Sequence, residues 1–134
     1  MNLTAAGLIE YLSRLDQSQY YHYVYQGTGT KIRILRIQPP EGPVLIERIT
    51  KDGEKTEQTI STQMLWRVAN AFKPDLPVNI DRVLGASYNT RSALEALLAH
   101  TADFYFSYPG RIESYSQSAK VKKGHKHLIW RPNA

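Results

Sequence analysis

The sequence predicts an α+β fold. An N-terminal helix plus an antiparallel β-meander fills residues 1–60, and three helices followed by a basic β-hairpin fill residues 61–134, as one domain or as two small subdomains sharing a core. Three observations predict it. Apolar residues recur at helical spacing near the N-terminus, give way to short strand-like runs from Tyr20 to Ile60, and return to helical spacing after Ser61. Turn signals separate the runs: Pro39-Pro40-Glu41-Gly42, Asp52-Gly53, Gly85 and Pro109-Gly110. Charge divides the same way, with seven Lys+Arg against seven Asp+Glu in residues 1–60 and ten against five in residues 61–134.

Each element has a local reason. Leu8, Tyr11, Leu12 and Leu15 form one helical face, with Asn2 or Thr4 as the cap. Tyr20–Gln26 is aromatic and β-branched, a strand composition. Gly27-Thr28-Gly29-Thr30 is a loop. Lys31–Ile37 opens by alternating cation and aliphatic, a half-exposed strand. Val44–Thr50 is the next strand, Asp52-Gly53 the hairpin turn, and Thr56–Ile60 the polar returning strand. Leu65, Val68, Ala69 and Phe72 then mark an amphipathic helix, capped by Ser61 or Thr62 and stopped before Pro74. Asp75-Leu76-Pro77 connects it to a short helix within Val78–Leu84, where Asn79 caps, Ile80, Val83 and Leu84 face inward, and Gly85 terminates. Ser87 or Asn89 caps a third helix whose Leu94, Leu97 and Leu98 face the core, while Ala93, Ala96 and Ala99 leave a thin outer surface. Phe104–Tyr108 and Arg111–Tyr115 are strands about a type II turn, Ser116–Gly124 is a polar basic loop, and His125–Arg131 is a final strand.

Composition narrows the function classes. A hydrophobic content of 42% supports a real core. No apolar run approaches the roughly 18 residues of a membrane span, and Met1–Arg14 lacks the pattern of a signal peptide. There is no cysteine, hence no disulfide framework or thiolate metal site, and a cytoplasmic setting is the default. The net charge of +5 lies wholly in the second half, as expected of a face built for a polyanion.

Over Ser61–Arg131 the order helix, helix, turn, helix, strand, loop, strand resembles the winged helix–turn–helix superfamily. The resemblance implies a three-helix core, double-stranded DNA against the third helix, and a wing touching backbone or minor groove. It places Tyr88, Asn89, Thr90, Arg91 and Ser92 at the approaching helix start, with Glu95 one turn on and Arg82 and Arg111 nearby. The chemistry suits: Arg takes guanine O6 and N7, Asn takes adenine N6 and N7, and a carboxylate accepts from cytosine N4. Capping by Asn89 and an Arg91–Glu95 pair explain the same residues without DNA. The wing would be Lys120, Lys122, Lys123, His125, Lys126, His127 and Arg131, five full cations and no acid. Tyr20, Tyr21, Tyr23 and Tyr25, beside Lys31, Arg33 and Arg36, form a second surface that could stack single-stranded bases, or could simply pack as strand residues.

An enzyme acting alone is the weaker reading. Glu47, Asp52, Glu54 and Lys55 lie close in sequence but fall on a turn and an exposed strand rather than in a cleft. His125 and His127 share a strand face without a third ligand, so no metal site or other cofactor is expected. The expected role is DNA recognition within a larger protein, a restriction-type nuclease or a transcriptional regulator, with this chain as its N-terminal piece and a catalytic or oligomerisation domain beyond it. The alternatives are a protein–protein docking module and a small metal-dependent nuclease.

Overall fold

The computed structural model describes residues 2–24, 29–85, 88–108, 111–113 and 127–132. Helix α1 (Ala5–Ser13) starts at Thr4, whose side chain accepts from the Gly7 N–H at 3.0 Å. It buries Ala5, Leu8, Ile9 and Leu12. The chain then forms β1 (Tyr21–His22), β2 (Lys31–Ile37), β3 (Val44–Ile49) and β4 (Lys55–Ile60), an antiparallel meander in sequence order. Ile34 faces Ile46 across β2 and β3, and with Ile32 these side chains are wholly buried. Arg33, Glu47 and Glu57 align on the outer face. Of the expected strand Tyr20–Gln26, Tyr25 and Gln26 lie outside the described residues, and among those described only Tyr21–His22 is strand. Tyr21 and Val24 are the buried ones of these, a spacing of three that a strand's two-residue alternation cannot serve.

Helix α2 (Thr62–Ala71) is capped by Ser61, which accepts from the Met64 N–H at 3.2 Å. Helix α3 (Ile80–Leu84) is capped by Asn79 and ends at Gly85, where φ is 72°. Helix α4 (Arg91–Ala99) follows, then β5 (Phe104–Tyr108), β6 (Arg111–Glu113) and β7 (His127–Trp130). The second sheet has the order β6-β5-β7, so β5 is central and pairs antiparallel with both neighbours. The final strand therefore lies beside β5, not beside the strand that precedes it. Val78 adds a one-residue bridge to Leu128 on the far side of β7.

A single buried cluster runs from Leu3 through both sheets to Trp130. Tyr11 ties its ends: its hydroxyl donates to Asp103 Oδ2 at 2.7 Å and accepts from Trp130 Nε1 at 3.1 Å. The Tyr11 and Phe72 rings each meet Phe104 edge-on, at 5.2 Å between centroids. Among the described residues, no helix is long and apolar enough to cross a membrane.

Candidate nucleic-acid interface

Thr90, rather than Ser87 or Asn89, stands at the N-cap of α4, and its side chain makes no capping bond. Its hydroxyl donates to Met64 Sδ at 2.9 Å, which docks the start of α4 against the first turn of α2. Asn89 is exposed, Tyr88, Arg91 and Ser92 are half-buried, and Arg82 is exposed on α3. Arg91 is held from two sides: Nη1 donates to the Tyr88 carbonyl at 2.9 Å, and Nε lies 3.4 Å from Asp81 Oδ1. The ion pair expected with Glu95 is thus made with Asp81 of α3 instead.

The rest of α4 corrects the expectation of a thin outer surface. Every residue from Ala93 to Ala99 is buried, because α1, β1, α3 and β5 all pack around this helix. Glu95 is 1% exposed and Thr90 2%, so neither side chain lies on a surface that a nucleic acid can touch. Three-residue leucine spacing showed one buried face, and the alanines between those leucines are the other.

The residue that sequence reasoning missed is Arg67. From α2 its guanidinium carbon sits 5.6 Å from the Tyr88 ring centroid, and Nη1 reaches the Tyr88 hydroxyl at 3.5 Å. Arg67 thereby joins Asn89 and Arg91 around the start of α4. The available signal was the polar stripe Gln63, Trp66, Arg67 and Asn70, the complement of the apolar positions that identified the helix.

The second surface is occupied from within. Tyr21 is buried; its ring lies 5.0 Å from that of His100 and its hydroxyl donates to the Asp16 carbonyl at 3.2 Å. This corrects its expected role as a stacking platform. Tyr23 is half-buried and Tyr25 lies outside the described residues. Tyr20, half-buried just before β1, already carries Arg33 at 5.0 Å and Lys31 at 5.3 Å over its ring centroid. The Tyr20 hydroxyl donates to Glu47 Oε1 at 2.6 Å, and Arg33 Nη2 reaches the same oxygen at 3.2 Å. The Tyr20 bond, with the Arg33 charge beside it, holds the Glu47 carboxyl below the usual carboxylate range. Arg36 is exposed and stands apart on the strand beyond the β2 irregularity.

Lys120, Lys122, Lys123, His125 and Lys126 lie outside the described residues, as does the Arg111 side chain, although its backbone belongs to β6. His127 opens β7 opposite Ser107 and is half-buried. Arg131 Nε lies 2.6 Å from Asp75 Oδ1, so this cation is matched by an acid of the chain.

Fold and site together define a basic α+β unit with a cationic, amide-bearing face at the α2–α4 junction. Compared with known proteins, the chain is 46% identical over 131 residues to the Type II restriction enzyme NmeDI of Neisseria meningitidis serogroup C. The match covers 98% of this chain and 36% of that enzyme, so the chain spans just over a third of its relative's length. No family model matches, and no solved structure matches.

Proposed function

We propose that this chain is a double-stranded DNA recognition module of a longer restriction-type protein. The observation that carries the reading is the 46% identity, extending over 98% of the chain, with part of a restriction enzyme. The charge placement agrees with it, since the excess of cations lies wholly in residues 61–134. A winged helix–turn–helix arrangement is supported by the order of elements. Three helices precede the antiparallel pair β5 and β7, and Val78 adds a bridge to β7 from between α2 and α3. In this arrangement Tyr88, Asn89, Arg91 and Ser92 meet the duplex with Arg82 beside them, and Lys120 to Lys126 supply phosphate contacts from the long connection between β6 and β7. Strand cleavage and assembly belong to the longer protein.

The test is selection from a random-sequence duplex pool, methylated and unmethylated, with affinity followed across salt. Enrichment of a defined sequence, with affinity falling steeply as salt rises, is the expected result. Absence of duplex binding at low salt would overturn the proposal. Binding that ignores both salt and neutralisation of Lys122, Lys123 and Lys126 would point to protein docking instead.

A further inference from the structure

We infer that the solvent face of α2, rather than the body of α4, carries the base-contacting side chains, and that Gln63, Arg67 and Asn70 enter the major groove of duplex DNA with Trp66 alongside. The inference rests on the DNA-binding reading and assigns its reading element.

Helix α2 is open to a duplex where α4 is not. Residues Ala93 to Ala99 of α4 are buried beneath α1, β1, α3 and β5, which leaves only its first turn outside. Helix α2 is covered on one side only. Met64, Leu65, Val68 and Ala69 are buried, while Gln63, Trp66, Arg67 and Asn70 are exposed at i, i+3, i+4 and i+7, one continuous stripe. An α-helix with its side chains is about 10–12 Å across, which matches the roughly 12 Å width of a B-DNA major groove.

The side chains on that face suit base edges. The stripe holds two carboxamides and a guanidinium, the groups that bond adenine and guanine edges in pairs. It holds no carboxylate, and Lys73 continues it past the helix end as an exposed cation. The acid on its flank, Glu41, is engaged by the Trp66 indole N–H at 3.1 Å. On the other flank stands Tyr88, whose ring lies under Arg67 and whose carbonyl accepts from Arg91, itself paired with Asp81; with Arg67 and Lys73 the stripe remains cationic, which suits a polyanion.

The same face is preorganised. Trp66 is 49% exposed, a large aromatic surface left in water on a helix whose other face is well packed. It is fixed by Glu41, as Arg67 is fixed by the Tyr88 ring. Side chains already ordered lose less freedom on binding.

The experiment compares the full chain with Arg67→Ala, Arg67→Lys, Asn70→Ala and Arg91→Ala, each shown folded by its thermal unfolding. All are run against the same random-sequence duplex pool, with enriched and base-substituted duplexes then titrated individually. Arg67→Ala and Asn70→Ala should each relax preference at one base pair and weaken the preferred duplex roughly five- to a hundredfold. Arg67→Lys, which keeps the charge but loses the paired donors, should keep non-specific affinity and lose the same preference. Arg91→Ala should weaken all duplexes alike. If Arg67→Ala and Asn70→Ala keep the sequence preference of the unmodified chain, or lose affinity uniformly across sequences, the assignment of α2 is overturned while DNA binding stands. Failure of the unmodified chain to bind any duplex overturns both.

Discussion

His100 closes α4 with its ring turned back on the helix, Nδ1 lying 2.8 Å from the Ala96 carbonyl. Burial pushes its pKa below the ordinary 6.5, and the nearby His22 adds to the shift. In the folded chain the imidazole stays neutral at a pH where the unfolded chain already takes up a proton. Its contribution to stability is therefore complete above 6.5 and is lost as the pH falls from there towards the folded value. Urea midpoints should decline across this mildly acidic window, and His100→Gln should flatten the decline; equal pH dependence in both proteins would contradict it. Glu47 behaves separately. Its carboxyl is held low by the Tyr20 hydroxyl, so its stabilising effect is lost only below the ordinary 4.5. At this scale the sequence was partly legible. The sequence singles out Asn79 as a cap and offers Thr4 and Ser61 each as one of two candidates; all three side chains bond to an N–H three residues on, the local pattern that makes caps legible. Thr90 was not assigned because its hydroxyl serves a sulfur 26 residues away. Glu95 misled for a related reason: a carboxylate ordinarily marks a helix's wet face, and here it lies in the core.

Among the elements, α4 shows how a pattern can be read correctly and still mislead. Leu94, Leu97 and Leu98 face the core as their spacing indicates, and Ala93, Ala96 and Ala99 are equally buried. Alanine is neutral on this question, since it suits both a helix surface and a tight helix contact. Ala96→Leu tests the difference: on a free surface it would be harmless, whereas in this packing it should destabilise by about 1–3 kcal/mol in urea titration. Gly85 is a second element-scale case. A methyl group there would meet nothing within 4 Å, yet its φ of 72° with ψ of −178° is a region that side chains avoid. Gly85→Ala should therefore cost about 1–3 kcal/mol from backbone strain alone, with the buried residues unmoved. Strand limits were less legible than helix limits. β1 lasts only as far as its two pairs with β2, Tyr21 with Ile32 and His22 with Lys31, and partners are invisible in a linear reading.

For the whole molecule, the meander of the first half and the helices of the second share one buried cluster. Sequence reading separated them by charge and period, properties of surface and local geometry; the contacts that join them are long-range. Tyr11 holds the clearest of these, bonded to Asp103 and Trp130. Tyr11→Phe should cost about 1–3 kcal/mol by leaving the Asp103 carboxylate and the Trp130 indole short of a partner. A single unfolding transition, seen alike by tryptophan fluorescence and far-ultraviolet circular dichroism, should persist in that variant. Two separated transitions would show that the halves fold independently.

The bond from Trp130 to Tyr11 spans 119 positions of the chain. During synthesis, at roughly 5–20 residues per second, Tyr11 would therefore wait about 6–24 s for its partner to be made. Until then α1 and the first sheet have only part of their apolar cover. The unit closes late and from its far end, and this interval is when a nascent chain of this kind is most open to chaperones and proteases.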